Sequence, residues 1–480
     1  MKPGEILKNL AEVNAPQDLT ELPEEITIAP LSQLTTSDPH HEGFETDEHI
    51  EIGNDAFKQF LETLPDEMAE EVKAALQITI EKDDVLKLSV TDGLTLSAGE
   101  IVGLAGDFLG VPKKPISFGK DPDAKEARFL EAYETLIDPN NYDEIDEILA
   151  YVKAQPKDPA TEDTLVFQKL KDSAIVRNLR YAQITSASVL PGAFWHSRYP
   201  SLAANNFDHF GDEARVAFQT GYKLALDKVR FAKEKVEDPQ TKRLLLKQAF
   251  IYMLFACHFL TDLYAAGHIR TPRKQILNWV AGNKDLDNTP EDLTTISAIR
   301  RGIAGMLAKK MHDEDCKKGI FVESEKTHKK WPAFGDGVYA KEENEKNAKK
   351  VCKAVLKVLS DIIHVYNGKS PEFDLSLAGD IPKADEETNK NCNLLPLYKV
   401  ENNQLMVRTE NNNYKHMKAT SALRLFFSVK IKDSRQNEIE LNDDSLEQLI
   451  TKIEVTEKTE EAQPQEEVQN KAHANMCRIM

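Results

Sequence analysis

The chain has 480 residues, of which 41% are hydrophobic and 29% charged, and this length fits one large or two to three ordinary domains. Its net charge of −19 argues against non-specific nucleic-acid binding, which requires a basic surface, but not against a nuclease with a local metal site. The five scattered cysteines form no Cys-x-x-Cys motif and indicate a reduced chain. The N-terminal sequence is not that of a Sec signal peptide, and no apolar run reaches the roughly 18 residues that span a bilayer.

The pattern of apolar residues predicts a mainly α protein that begins after a flexible N-terminal arm, residues 1–38. A helix carries His49 near its start, and weak alternation over 80–92 predicts a short hairpin. The segment Thr95–Phe108 is predicted to be a second helix. Three further helices are predicted before an irregular aromatic segment, over residues 125–138, 142–154 and 163–183.

The most apolar segment of the chain predicts a buried helix over residues 241–265. Further elements are predicted around it, namely helices over 212–235, 291–310 and 342–366 and a loop at Trp331. Short β-like runs between Asn-rich turns over 395–432 predict a small β-containing annex, residues 371–453. The helical domain therefore covers residues 39–370, and an acidic tail predicted to be disordered covers residues 454–480.

One stretch, Phe255–His268, places polar side chains inside an otherwise apolar helix. His258 and Asp262 lie one helical turn apart and therefore share a face. Burying an imidazole and a carboxylate is unfavourable unless each has a partner. A hydrogen-bonded His–Asp pair would satisfy both groups, and so would a divalent metal ion, for which imidazole and carboxylate are common ligands. The third polar residue, His268, favours the metal.

Other His and Asp residues occupy similar positions, at helix ends or on apolar helices. The candidate metal ligands are, in chain order, His49, Asp107, His209, His258, Asp262, His268, His312 and Asp315. Taken singly, some of them also have a structural explanation: His49 starts a helix, Asp107 fits a cap, and His312 fits a solvated helix end. Together they exceed one tetrahedral site and predict two or three metal ions, an arrangement typical of phosphoester hydrolysis.

Four sequence blocks hold most of these candidates, namely HFLTDLYAAGHIRTPR (258–273), LAGDF (104–108), NFDHFG (206–211) and MHDED (311–315). They resemble blocks of the zinc phospholipase C/P1 nuclease superfamily, and most closely those of the zinc metallophospholipases C of Gram-negative bacteria. The resemblance covers residues 39–370, and its most specific part is His258-x3-Asp262-x5-His268. It implies the helical fold of that superfamily, with a small C-terminal β-containing annex, and a cluster of up to three zinc ions.

The resemblance also implies how the ligands are shared. One zinc ion would be held by Asp107, His209, His258 and Asp262. A second would be held by His268, His312 and an acidic residue such as Asp315, and His49 would help to hold a third. The superfamily uses its N-terminal amino group at the third zinc, and His40 or His41 would have to take that place here.

The implied activity is that of a zinc-dependent phospholipase C, which hydrolyses glycerophospholipids, phosphatidylcholine first among them, to diacylglycerol and a phosphorylated head group. Asp107 or Asp262 would orient or deprotonate the attacking water. Arg270 and Arg273 would clamp phosphate oxygens or, alternatively, close a helix C-terminus. One alternative is a P1-like nuclease or phosphomonoesterase on the same zinc scaffold. Another is a weakly active membrane-associated effector with a structural metal.

The sequence ends with Cys477-Arg-Ile-Met480, which has the form of a C-a-a-X prenylation signal, although arginine is not aliphatic. Bacteria do not prenylate proteins in this way, whereas a eukaryotic cytosol does. Together with the acidic tail and the lack of a Sec signal, the motif suggests a type IV secreted effector. Such an effector would leave the bacterial cytoplasm, be modified by a host prenyltransferase at Cys477 and act on phospholipids of host membranes; nucleic acid is not an expected partner.

Overall fold

The fold is known from a computed structural model, which describes residues 46–154, 180–185, 198–282, 298–335, 339, 341–375, 379–419 and 421–422. The described residues are mainly helical, which confirms the predicted fold class. In chain order the helices are α1 Thr46–Thr63, α2 Asp66–Leu76, α3 Ala98–Leu104, α4 Pro122–Ile137, α5 Tyr142–Lys153, α6 Arg198–Ala204, α7 Gly211–Lys235, α8 Pro239–Asp262, α9 Ala266–Ile269, α10 Arg273–Val280, α11 Ala298–Lys318, α12 Glu345–Tyr366 and α13 Glu386–Asn391.

Three small antiparallel sheets accompany the helices within the described residues. Their strands are β1 Thr79–Ile80, β2 Leu86–Thr91, β3 Leu94–Ser97, β4 Ile320–Ser324, β5 Lys329–Ala333, β6 Lys383–Ala384, β7 Tyr398–Glu401, β8 Gln404–Arg408 and β9 Tyr414–His416. The sheets have the orders β1-β2-β3, β5-β4-β6 and β7-β8-β9. The hairpin predicted over 80–92 is confirmed and extended by β3, and β7–β9 lie inside the predicted annex. The annex also contributes β6, which pairs with β4 of the helical region.

Helix α8 lies at the centre of the main hydrophobic core. Every residue from Ala249 to Asp262 is buried, because α7, α3 and α12 pack against this helix and aromatic rings of α4 contact it. Asp238 caps its start by accepting a hydrogen bond from the backbone N–H of Thr241. In the described part of the chain, α8 is also the one helix long and apolar enough to cross a membrane, but 83% of its apolar window is buried inside the protein. Its composition is therefore that of a core helix, as predicted.

The structure differs from the predicted elements at three places. Residues 95–97 belong to strand β3, because Leu94 and Leu96 alternate inward against β2, and α3 starts only after the N-cap Ser97. Trp331 lies in strand β5 rather than in a loop. Helix α11 continues past the predicted end at 310 to Lys318, since the sequence has no glycine or proline between residue 310 and Gly319, which has a positive φ of 68°.

The longer α11 matters for the site, because it carries His312 and Asp315 on a regular helix next to α9. A second, smaller core lies on the other side of α11. There Tyr398, Leu405 and Met417 of the β7–β9 region pack with α10 and α11. The predicted N-terminal arm, the acidic tail, His40, His41 and Cys477 lie outside the described residues.

Candidate metal centre

Most of the predicted ligands converge at the C-terminal end of α8. His258 and Asp262 come from α8 itself, and His268 comes from α9, which begins after a short turn. The other residues come from separate elements, namely His49 in the first turn of α1, Asp107 in the turn after α3 and His209 in a 3₁₀ helix, Phe207–His209, before α7. Residues more than 200 positions apart in the sequence therefore meet in one buried cluster.

The 3₁₀ helix that carries His209 is fixed by its neighbour Asp208. The two carboxylate oxygens of Asp208 accept hydrogen bonds from the backbone N–H groups of Ile116 and Ser117, at 2.5 and 2.9 Å. Asp208 therefore anchors the backbone and leaves the imidazole of His209 to face the cluster.

Asp262 lies at the centre of the cluster and is completely buried. Its Oδ1 lies 2.8 Å from His268 Nδ1 and 3.5 Å from His49 Nε2. Its Oδ2 lies 3.0 Å from His209 Nδ1 and 3.6 Å from His258 Nε2. The contact with His209 does not have hydrogen-bond geometry, so Oδ2 accepts no hydrogen bond from the described residues. A buried carboxylate oxygen in this state is unfavourable unless a cation satisfies it.

Three of these ligand atoms have the spacing of a zinc site. His209 Nδ1, His258 Nε2 and Asp262 Oδ2 are separated by 3.2, 3.6 and 3.0 Å. Zinc–nitrogen and zinc–oxygen bonds of about 2.0–2.2 Å in a tetrahedron place ligand atoms about 3.3–3.6 Å apart. The three atoms can therefore bind one metal ion with little rearrangement.

Hydrogen bonds fix which ring nitrogen of two histidines faces the cluster. His258 Nδ1 lies 2.9 Å from the carbonyl oxygen of Val102, which can only accept, so Nδ1 carries the proton and Nε2 has the lone pair. His49 Nδ1 lies 2.7 Å from Thr261 Oγ1, whose own proton is directed to the carbonyl groups of Cys257 and His258. His49 therefore also presents the lone pair of Nε2 to Asp262. Such backbone and hydroxyl contacts commonly orient metal-bound histidines.

The electrostatics of the cluster match neutral imidazoles around one carboxylate. Burial lowers the pKa of His49 and His268 to about 4 and that of His258 well below its ordinary value. Burial alone would raise the pKa of Asp262, but the surrounding imidazoles, His268 and His209 first, hold it well below 3.8. Asp262 is thus ionised at neutral pH, and its Oδ1 accepts the hydrogen bond of His268, whereas the Nε2 atoms of His49 and His258 present lone pairs to it.

His209 and Asp107 differ from the rest of the cluster. Burial opposes the protonation of His209, but the carboxylates of Asp262 and Asp107 raise its pKa to about 8. Burial raises the pKa of Asp107 to about 7, although 30% of its side chain is exposed. Without a metal, each of these two groups gains or loses its proton near neutral pH. A metal ion would compete with those protons for the same ligand atoms.

Among the residues that the structure describes, two groups of three side chains are close enough to hold a metal ion. One is formed by His49, Asp107 and His258 and the other by His209, His258 and Asp262. The groups share His258, whose only lone pair is on Nε2. Both therefore describe one metal position around that atom. Its surroundings include all four residues predicted for the first zinc, together with His49.

A glycine makes room for this position. Gly106 has a φ of +75°, and a Cβ atom there would lie 2.5 Å from Cδ2 and 2.6 Å from Nε2 of His258. The turn between α3 and Asp107 therefore requires glycine both for its backbone conformation and for the close approach of the imidazole. Gly106 and His209 also line a cavity of about 40 Å³, together with Asn206 and Lys113.

The remaining predicted residues lie beside the cluster with other partners. Asp315 accepts two hydrogen bonds from the guanidinium group of Arg270, at 2.6 and 2.8 Å, and Arg270 also donates to the carbonyl of Leu394. Arg273 is buried and donates to the carbonyl of Ala203. Neither arginine is arranged as a phosphate clamp. His312 lies one ring away from the cluster, with its centroid 4.9 Å from that of His268.

Sequence reasoning missed Thr261, which holds His49, and the carbonyl of Val102, which holds His258. A threonine inside the apolar α8 was a usable signal, because buried hydroxyls need partners. A backbone carbonyl carries no such signal. Comparisons with protein-family models, with curated proteins and with solved structures found no match. Function is therefore inferred from the chemistry of the site and from the sequence motifs.

Proposed function

We propose that this protein is a zinc-dependent phosphodiester hydrolase that acts on glycerophospholipids as a phospholipase C. The observation that carries the proposal is the contact between Asp262 and the Nε2 atoms of His49 and His258, at 3.5 and 3.6 Å. Neither the carboxylate oxygens of Asp262 nor these two nitrogen atoms carry a hydrogen, so their lone pairs repel one another. A cation between them would remove this repulsion. Imidazole with carboxylate is the usual ligand mixture of catalytic zinc.

The proposed ligands are His209, His258, Asp262 and Asp107, with His49 beside them. When bound, zinc supplies Lewis-acid activation of water and neutralises charge on a phosphate group. Two or three ions, as the sequence motifs suggest, would be typical of phosphodiester hydrolysis. The buried Asp262, with its low pKa, supplies fixed negative charge for the cation.

Asp107 is the carboxylate suited to proton transfer. It is the more exposed of the two candidate catalytic carboxylates, with 30% of its side chain accessible, whereas Asp262 is completely buried. Asp107 would accept a proton from a water molecule at the mouth of the cluster, next to the cavity lined by Lys113. The ammonium group of Lys113 gives this cavity the charge that attracts a phosphate.

The test combines metal analysis with hydrolysis by the full-length protein. Zinc is measured per chain, and phosphocholine release is followed from phosphatidylcholine vesicles. Single-stranded DNA and a phosphomonoester are assayed in parallel. The variant His258→Ala is compared with His416→Ala, which removes an exposed histidine of strand β9.

We expect two or three zinc ions per chain and phosphocholine release that His258→Ala abolishes and His416→Ala preserves. Hydrolysis of DNA or of the phosphomonoester without lipid hydrolysis would assign the scaffold to the nuclease or phosphomonoesterase alternative. Zinc without any hydrolysis would assign it a structural metal. Either result would overturn the phospholipase proposal.

A further inference from the structure

A second pair of metal-ligating side chains lies next to the Asp262 cluster and includes a cysteine. His312 and Cys316 are separated by one turn of α11 and lie on the same face. Cys316 Sγ lies 3.7 Å from His312 Nε2, and both side chains are more than nine-tenths buried. The sequence motifs pointed to His312 but not to Cys316.

The spacing of the pair fits a shared zinc ion. Zinc–sulfur and zinc–nitrogen bonds of about 2.3 and 2.0–2.1 Å at a tetrahedral angle place the two ligand atoms about 3.6 Å apart. The observed 3.7 Å between Sγ and Nε2 is close to this value. No displacement of α11 is therefore needed to bring both atoms to one metal ion.

The orientation of His312 is that of a metal-bound imidazole. Its Nδ1 lies 3.1 Å from Oδ1 of Asp313, so Nδ1 carries the proton and the lone pair of Nε2 is directed to Cys316. Carboxylates commonly hold the outer nitrogen of zinc-bound histidines in this way. Asp313 would thus be a positioning residue for His312.

The backbone of α9 is packed directly against the pair. A Cβ atom on Gly267 would lie 2.4 Å from Cδ2 of His312 and 2.5 Å from Sγ of Cys316. This close approach brings His268 of α9 beside His312, with ring centroids 4.9 Å apart. His268 Nδ1–H donates a hydrogen bond to Oδ1 of Asp262, so the lone pair of His268 is on Nε2. Gly267 therefore packs against the His312–Cys316 pair and directly precedes His268 of the Asp262 cluster.

Asp315, the acidic residue expected in this place, is already engaged. Its two carboxylate oxygens accept the hydrogen bonds of Arg270, and only 3% of the residue is exposed to solvent. A buried ion pair of this kind is costly to break. The sulfur of Cys316, 3.7 Å from His312 Nε2, has no such ion pair to break.

We infer that Cys316, as a thiolate, and His312 bind a second zinc ion beside the Asp262 cluster. This inference rests on the proposed zinc chemistry but not on the phospholipase activity. The thiol proton is released to solvent when the metal binds. A thiolate makes the second position selective for zinc over magnesium or manganese, which prefer oxygen ligands.

The test is zinc-edge X-ray absorption fine structure of the zinc-loaded full-length protein. A sulfur shell is expected at about 2.3 Å beside nitrogen and oxygen at about 2.0–2.1 Å. The variant Cys316→Ser should lose this shell and one zinc ion per chain. Cys352→Ser is the matched control, because Cys352 is another buried thiol. Its sulfur accepts a hydrogen bond from the side-chain amide of Gln59 on α1. Asp315→Asn should keep the sulfur shell.

The outcomes separate this inference from the proposed activity. Zinc-loaded wild-type protein without a sulfur shell would overturn the assignment of Cys316, even if lipid is hydrolysed. Loss of the shell in Cys352→Ser instead of Cys316→Ser would also overturn it. A sulfur shell that depends on Cys316, in a protein that hydrolyses no lipid, would support the ligand and overturn the activity. The wild-type spectrum decides the question even if Cys316→Ser fails to fold.

Discussion

Two aspartates of this protein, Asp262 and Asp361, are completely buried, and their surroundings are opposite in kind. Asp361 on α12 accepts hydrogen bonds from the backbone N–H groups of Glu372 and Phe373, at 2.6 and 2.9 Å, and from the hydroxyl of Tyr222 at 2.8 Å. Both of its oxygens thus accept hydrogen bonds from groups that belong to the protein itself. Asp262 is surrounded by four imidazoles, and its Oδ2 accepts no hydrogen bond from the described residues.

The difference separates a structural carboxylate from a ligand carboxylate. A structural carboxylate is stabilised by fixed N–H and O–H donors, which satisfy its lone pairs permanently. A ligand carboxylate such as Asp262 keeps one oxygen without a hydrogen-bond donor, so that the site is complete only with a cation. Asp361 fixes the segment after α12, whereas Asp262 prepares a position for a metal ion.

Exchanging each aspartate for asparagine gives the largest predicted contrast. Asp262→Asn removes the central charge of the cluster, so we expect bound zinc to be lost. Hydrolysis should fall by about a thousandfold or more, since metal catalysis contributes several kcal/mol to the transition state. Zinc content and phosphocholine release measure the effect.

Asp361→Asn is the matched control for this experiment. Its amide NH₂ would face N–H donors, so we expect a loss of about 1–3 kcal/mol in the free energy of unfolding. Zinc content and the activity of the folded fraction should not change. Equal zinc binding by Asp262→Asn and wild type would contradict the distinction between the two aspartates.

The next largest predicted effect is the pH dependence of zinc affinity, because protons compete with zinc for ligands of the Asp262 cluster. The pKa of His209 is raised to about 8 and that of Asp107 to about 7, so both groups hold protons at low pH that the metal must displace. Zinc affinity should therefore rise with pH and level off above pH 8. Between pH 8 and pH 6, we expect it to fall by roughly 100-fold or more, about tenfold per displaced proton and pH unit. Competition titrations with a chelator at fixed ionic strength measure this, and a flat profile would refute it.

Gly106→Ala tests whether the glycine turn makes room for His258. The new methyl group would meet the imidazole at 2.5 Å, so we expect zinc affinity to fall by roughly 10–100-fold, as when the orientation of a ligand is disturbed. Gly282→Ala is the control, because Gly282 has a similar φ of +78° and no heavy atom within 4 Å of the added carbon. Both variants should lose stability through backbone strain. If both variants also lose zinc affinity to the same extent, the proposed steric role of Gly106 is refuted.

Thr261→Val should have the smallest effect of these changes. It removes the hydroxyl that holds Nδ1 of His49, so zinc affinity should fall by about tenfold, within the range known for outer contacts of metal ligands. Thr220→Val is the control, since Thr220 is another buried helix threonine whose hydroxyl bonds to the carbonyl four residues before it. Calorimetric zinc titration distinguishes them, and identical affinities would show that His49 needs no such support.

The sequence predicted the helical class and most residues of the cluster, because metal-binding side chains in apolar helices are unusual and therefore conspicuous. His258 and Asp262 followed from their spacing on one helical face, and α8 followed from its apolar length. It did not predict that both oxygens of Asp315 would be taken by Arg270, since the partner of a buried charge depends on tertiary packing. Cys316 was missed because helix α11 was expected to end at residue 310, before His312 and Cys316 could be placed on one face.

Anomalous diffraction at the zinc absorption edge, from crystals of the full-length protein, tests the central claim most directly. An anomalous peak should lie about 2.0–2.2 Å from His209 Nδ1, His258 Nε2 and Asp262 Oδ2. No peak at this position after zinc loading, with Asp262 hydrogen-bonded to protonated imidazoles in place of a metal, would contradict the claim that Asp262 is a ligand carboxylate.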